Sequence, residues 1–178
     1  MSHLCLENSY LIKGQNYSDN NLVNQRLADT SCHSVILYPG LKSENISKTT
    51  PTETALLFPK DKKLQIFVID GTWATARKMI RQSLNLATLP RICFTPSKPS
   101  NFRVRKQPSA ACYSTIEAIH HTIDILGDSQ GFKTSKRQHD GLLDVFNYMV
   151  ENQLEFIKKS NLNPRESAYR REGQRKIA

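Results

Sequence analysis

An α/β fold with a largely parallel sheet is the architecture this sequence predicts, and three observations carry the prediction. Short apolar runs at 34–38, 64–69 and 91–95 read as buried strands. Stretches with helical spacing of apolar residues alternate with them and then follow them. A chain of 178 residues with 38% hydrophobic content and a mean hydropathy of −0.50 is long enough for one domain with a core, yet polar at its surface. Strands alternating with helices imply a three-layer sandwich with helices on both faces of the sheet.

Residues 1–33 are weakly patterned, and Gln15 to Ala28 is rich in Asn, Ser and Asp, which favour turns and loops. The first strand, Ser34-Val35-Ile36-Leu37-Tyr38, is closed by Pro39-Gly40. Residues 41–52 read as a loop, with a short helix starting after Pro51. A charged turn, Lys60-Asp61-Lys62-Lys63, leads into the strand Leu64-Gln65-Ile66-Phe67-Val68-Ile69.

A helix opens at Trp73, with an apolar stripe at Trp73, Ala76, Ile80 and Leu84 and with Arg77 and Arg81 on another face. Leu89-Pro90 ends that connection, and Arg91-Ile92-Cys93-Phe94-Thr95 reads as a third strand. Residues 96–112 hold Pro96, Pro99 and Pro108 and form a long basic loop, a length that in compact domains is usually functional.

The next helix begins near Ser114 and buries Ile116, Ile119, Ile123 and Leu126. A polar connection at 127–138 leads to a long amphipathic helix with apolar Leu142, Leu143, Phe146, Met149, Val150, Leu154 and Ile157. The organisation expected is a weakly patterned segment 1–33, one main domain 34–160 and a basic tail 161–178.

Charge is distributed unevenly. The formal net charge is +9, but residues 1–70 are neutral overall. Residues 71–116 hold eight basic residues and no acidic one. Such a segment is an electrostatic footprint for a polyanion, and nucleic acid is the favoured partner over a merely solubilising surface. Arg77, Lys78, Arg81, Arg105 and Lys106 are the candidate RNA-binding residues. No apolar run reaches membrane-spanning length, and Cys5, Cys32, Cys93 and Cys112 include no C-x-x-C pair. A cytoplasmic protein with reduced thiols, no membrane contact and no metal is therefore expected.

The chemistry concentrates around Asp70-Gly71-Thr72-Trp73, an acid at the end of a central strand beside a helix N-terminus. Ligand sites of α/β sheets lie at such places. Asp70 suits a proton acceptor or an anchor for an ammonium group, or else simply a helix cap. Trp73 either packs on the helix stripe or walls a pocket. In Ser100-Asn101-Phe102-Arg103-Val104-Arg105, the guanidiniums suit a phosphate or carboxylate. Phe102 either stacks on a base or tucks into the core. Ser114-Thr115-Ile116-Glu117 fits a capping box, and His120-His121 reads as helix surface. No P-loop and no G-x-G-x-x-G is present.

Taken in order, these elements resemble the DTW-domain family, named for its Asp-x-Thr-Trp motif. The resemblance runs roughly from Ser34 to Lys158. It rests on Val35-Ile36-Leu37-Tyr38-Pro39-Gly40, Val68-Ile69-Asp70-Gly71-Thr72-Trp73 with Ala76 and Arg77, and Leu89-Pro90-Arg91. Ser100-x-Phe102-Arg103 with Arg105, Ser114-Thr115-x-Glu117-Ala118, and Leu142-Leu143-x-x-Phe146 with Met149-Val150 complete it.

The resemblance implies a SPOUT-like knotted core and a tRNA-uridine aminocarboxypropyltransferase. Such an enzyme moves the 3-amino-3-carboxypropyl group of S-adenosylmethionine to N3 of a tRNA uridine and releases 5′-methylthioadenosine. It implies catalytic roles for Asp70, Thr72, Ser100 and Arg103. It implies cofactor contacts from Leu37, Tyr38, Pro39, Trp73, Tyr113, Ser114, Thr115 and Glu117. The alternatives are a SPOUT-like methyltransferase using the same cofactor and an RNA-binding module without catalysis. A monomer and a homodimer are both compatible with the family.

Overall fold

The computed structural model describes residues 2–104 and 112–159. Arg105, Lys106 and the tail 161–178 lie outside the described residues.

Four strands form one sheet, and every pairing in it is parallel: β1 (Cys32–Leu37), β2 (Ser43–Asn45), β3 (Lys63–Val68) and β4 (Arg91–Cys93), in the order β2-β4-β1-β3. The long pairing is β1 with β3, in register from Cys32 against Lys63 to Leu37 against Val68. Strand β4 is displaced along β1, so that Arg91 pairs with Ile36 and Ile92 with Leu37. The first residue of β4 therefore sits near the carboxyl end of β1.

Side chains of a strand alternate between faces, and both faces here are covered. On one face, Ile36 meets Tyr17, Val23, Met79, Ile80 and Leu86, with Phe67 and Tyr38 against them. On the other, Val35, Leu37 and Ile92 meet Ile46, Phe58 and Leu126, with Leu64, Ile66, Val68 and Phe94 against them. The covering helices are α2 (Asn21–Ala28), α4 (Trp73–Gln82) and α5 (Leu84–Ala87) on the first face, and α3 (Pro51–Leu57) and α6 (Thr115–Leu126) on the second. A short helix, α1 (Ser2–Cys5), and the long α7 (Gly141–Lys159) complete the set. No described helix is long and apolar enough to cross a membrane.

Four sequence expectations change. The Asn-rich stretch expected as loop contains α2, because Asn20 caps it by accepting from the Val23 amide at 3.1 Å and Val23 anchors it in the core at 2% exposure. The loop 41–52 contains β2, a polar three-residue edge strand with no apolar alternation to announce it. Ser83 interrupts the helix after Trp73. Its buried hydroxyl accepts from the Tyr17 amide at 3.0 Å, so α4 stops and α5 begins. His120 is buried at 6% exposure and His121 is half-buried, so neither lies on a solvated face.

Candidate functional site

Asp70 lies two residues beyond β3, and Thr72 caps α4 by accepting from the Thr75 amide at 3.2 Å. Gly71 between them has a φ of +158°, and a Cβ there would stand 3.4 Å from Thr75 Cβ. The turn thus presents an exposed Asp70 carboxylate at the sheet's carboxyl end.

The second helix N-terminus at this place belongs to α6. Ser114 caps it in a reciprocal box: its hydroxyl accepts from the Glu117 amide, and Glu117 accepts from the Ser114 amide at 2.8 Å. Thr115, the first residue of α6, donates its hydroxyl to Asp70 Oδ1 at 2.7 Å. Two segments 45 residues apart are joined by that bond. Asp70 Oδ2 has no hydrogen-bond partner among the described residues.

Glu117 is 8% exposed, and its carboxylate does more than cap. Besides Ser114, the Ser100 hydroxyl donates to it at 2.7 Å and the Asn101 amide at 2.6 Å. Buried carboxylates need such donors to offset lost hydration. The other side of the same loop docks on α7. Phe102 meets Phe146 edge-on with centroids 5.6 Å apart, and Asn101 donates to Asn147 Oδ1 at 2.7 Å. Arg103 pairs with Glu151. Phe102 therefore takes the core option rather than the base-stacking one, and Arg103 turns toward α7 rather than toward Asp70. Glu117 and Ser100 hold the loop in place, each satisfied by protein partners.

The aromatic wall is also assembled. Trp73 and Tyr38 lie 6.2 Å apart and tilted, and the Arg91 guanidinium stands 5.9 Å from the Tyr38 ring centre. Leu37 is buried in the core behind them, while Pro39 is exposed. Tyr113 packs against Phe94 and His121, each 5.6 Å away, and its buried hydroxyl has no partner among the described residues. Burial pushes the His121 imidazole below its ordinary pKa. Arg77, Lys78 and Arg81 are exposed on α4.

Two groups were not among the candidate site residues. Arg91 lines a groove with Tyr38, Arg77 and Arg81. In the sequence it stood only as one charge of the acid-free basic segment and as the end of Leu89-Pro90-Arg91. The other group is a network behind α6. His120 bonds Asp140 at 2.8 Å, His139 bonds Asp124 at 2.7 Å, and Arg137 bridges both acids at 2.6 Å. Arg137 adopts a left-handed φ of 52°, uncommon for a residue with a side chain, which these bonds offset. Hydrogen bonds from Arg137 and then His120 hold the Asp140 carboxyl well below the usual carboxylate range. Burial pushes Asp124 upward, but His139, His120 and Arg137 outweigh it and its pKa is lowered. His120, His139 and Asp140 have the spacing of a metal-ligand set, yet the Arg137 guanidinium occupies that ground, 3.4 Å from His120 Nε2.

The chain matches the DTW domain over residues 1–154. It is 28% identical over 114 residues to the mouse (Mus musculus) tRNA-uridine aminocarboxypropyltransferase 2, covering 64% of this chain and 36% of that protein. Against the protein of the same name from Macaca fascicularis it is 28% identical over 93 residues, covering 52% of this chain and 29% of that protein. The chain thus matches about a third of the length of these relatives. No solved structure matches it. The Asp-x-Thr-Trp turn, the capping box bonded to it and the match over residues 1–154 together assign this chain to the DTW-domain family.

Proposed function

We propose that this protein is a tRNA-uridine aminocarboxypropyltransferase that uses S-adenosylmethionine as group donor. The observation that carries the reading is the Thr115–Asp70 bond, which brings the two most characteristic family segments to the carboxyl end of a parallel sheet. The names of the relatives point the same way.

The residues present fit the donor. Its amino acid moiety needs an anion for the ammonium and amide donors for the carboxylate. Asp70 Oδ2 suits the first, and the amino ends of α4 and α6 suit the second. Trp73 and Tyr38 offer an apolar border, and the Tyr113 hydroxyl offers a buried polar contact. S-adenosylmethionine supplies an electrophilic methylene: the N3–C bond forms as the C–S bond breaks, leaving 5′-methylthioadenosine.

The protein's part is orientation and proton removal. The N3 proton must leave, and Asp70 either accepts it or fixes the ammonium so that the propyl methylene, not the less hindered methyl, faces N3. Thr115 holds Asp70 in one rotamer. Arg103, freed from Glu151, completes the clamp on the carboxylate. The basic face of α4 with Arg77, Lys78 and Arg81 meets the tRNA backbone, joined by Arg105 and Lys106. On family grounds we read the core as SPOUT-like and the site of action as the cytoplasm.

The test is incubation with unmodified tRNA and S-adenosylmethionine, followed by identification of both products. The expected pair is aminocarboxypropyl-uridine and 5′-methylthioadenosine. S-adenosylhomocysteine as the by-product would establish a methyltransferase instead. Binding of tRNA without any consumption of donor would leave an RNA-binding module.

A further inference from the structure

We propose that Arg77, Arg81 and Arg91 grip one backbone phosphate of the substrate RNA, in the groove over Tyr38. The proposal rests on tRNA being the substrate, and it adds a defined anchoring point and a residue, Arg91, to that reading.

The groove measures about 270 Å³ and is lined by Tyr38, Arg77, Ile80, Arg81, Ala87 and Arg91. Three of the six lining residues are arginines and none is acidic. Arg77 and Arg81 are one helical turn apart on α4, a spacing at which like charges repel. Arg91 reaches the same groove because β4 is displaced along β1. No ion pair is formed by any of the three among the described residues, whereas Arg103 and Arg137 both find carboxylates. Three arginines lining one groove with no carboxylate paired to them among the described residues are suited to an anion, and the fork geometry of a guanidinium matches phosphate oxygens.

The surroundings select the source of that phosphate. The Tyr38 ring has Trp73 6.2 Å away and the Arg91 guanidinium 5.9 Å from its centre. An aromatic wall beside an arginine groove is the arrangement that takes a single-stranded nucleotide, base on ring and phosphate on cation. The phosphate held is therefore one in a single-stranded stretch of the tRNA, with its base against the Tyr38 ring.

The test measures tRNA affinity against salt for the wild type, for Arg81→Gln, for Arg91→Gln and for the triple Gln variant, without donor present. One shared phosphate predicts that each single variant lowers affinity but leaves the slope of log affinity against log salt nearly unchanged, because two guanidiniums still neutralise the phosphate, and that the triple variant lowers the slope by about one. Arg91→Lys keeps most of the slope but loses several-fold in affinity, because an ammonium cannot make the forked contact. A slope unchanged in the triple variant overturns the proposal, as does a loss of about three, which would mean three independent surface charges. Arg81→Gln, on an exposed helix face, keeps the test informative if the triple variant misfolds: a slope lowered by about a full unit in that variant alone marks an independent contact and overturns the proposal. The product assay on the wild type separates this outcome from the enzymatic reading. A wild type that binds tRNA with the expected slope and transfers nothing loses the function but keeps the phosphate groove.

Discussion

The Thr115 hydroxyl donates to Asp70 Oδ1 at 2.7 Å, and through this bond the start of α6 positions the acid at the end of β3. One carboxylate oxygen is held by this bond, and the other has no hydrogen-bond partner among the described residues. Thr115→Val removes the restraint and keeps the shape. Transfer is expected to fall about tenfold, equivalent to about 1.4 kcal/mol in the barrier, with the donor KM nearly unchanged and the melting temperature close to wild type. Steady-state kinetics with thermal unfolding checks it.

Asp70→Asn distinguishes the two roles of the acid. Transfer is expected to fall by at least about 100-fold in either case. Calorimetric titration with S-adenosylmethionine then decides between them: unchanged affinity marks a base, and lost affinity marks the ammonium anchor.

Glu117→Ala leaves the Ser100 hydroxyl and the Asn101 amide without their buried acceptor. A loss of about 2–4 kcal/mol is expected, because hydrogen bonds to a charged group are the stronger kind and partners left unsatisfied add to the cost. Urea unfolding measures it, and Glu117→Gln should recover part of the loss.

Arg103 and Glu151 should behave unequally although they form one ion pair. Both are about half exposed, at 50% and 59%, so Glu151→Gln should change stability by less than about 1 kcal/mol. Arg103→Ala should raise the donor KM about tenfold if the guanidinium leaves Glu151 to hold the carboxylate. Equal and small effects from both substitutions would assign the pair to the surface alone.

Acid stability should depend on the network behind α6. The folded-state pKa values of Asp124 and Asp140 are lowered, so their contribution is complete above the ordinary carboxylate value of 3.8 and is lost as pH falls toward the folded values. Arg137→Gln removes the hydrogen bonds that hold both acids down. The variant should show a flatter acid limb of stability below about pH 4, measured by urea unfolding across pH.

Much of this arrangement was legible beforehand, for reasons that particular residues make plain. The strands β1 and β3 show through the apolar runs Val35-Ile36-Leu37 and Ile66-Phe67-Val68, which are apolar on successive residues because both faces of the parallel sheet are covered. Ser114 and Glu117 announce the start of α6 because a capping box is a local interaction. Strand β2 was not legible: Ser43, Glu44 and Asn45 carry no alternation, and only pairing with β4 makes them a strand. Nor was the burial of His120, whose polarity is tolerated inside because Asp140 arrives from beyond α6 to join Asp124, one turn along the same helix, in meeting it.

The chain by itself determined β1, β3 and the starts of α4 and α6, the caps, the acid-free basic segment and the turn that sets Asp70 beside a helix, since all of these depend on neighbours within a few residues. Tertiary structure alone decided which of those elements meet. It joined Thr115 to Asp70, committed Glu117 to Ser100 and Asn101, paired Arg103 with Glu151, and carried Arg91 to Arg77 and Arg81 through the offset of β4 on β1. The physical reason is that strand order, strand register and helix placement follow from packing the two apolar faces of the sheet at once, a condition that no local stretch of sequence contains.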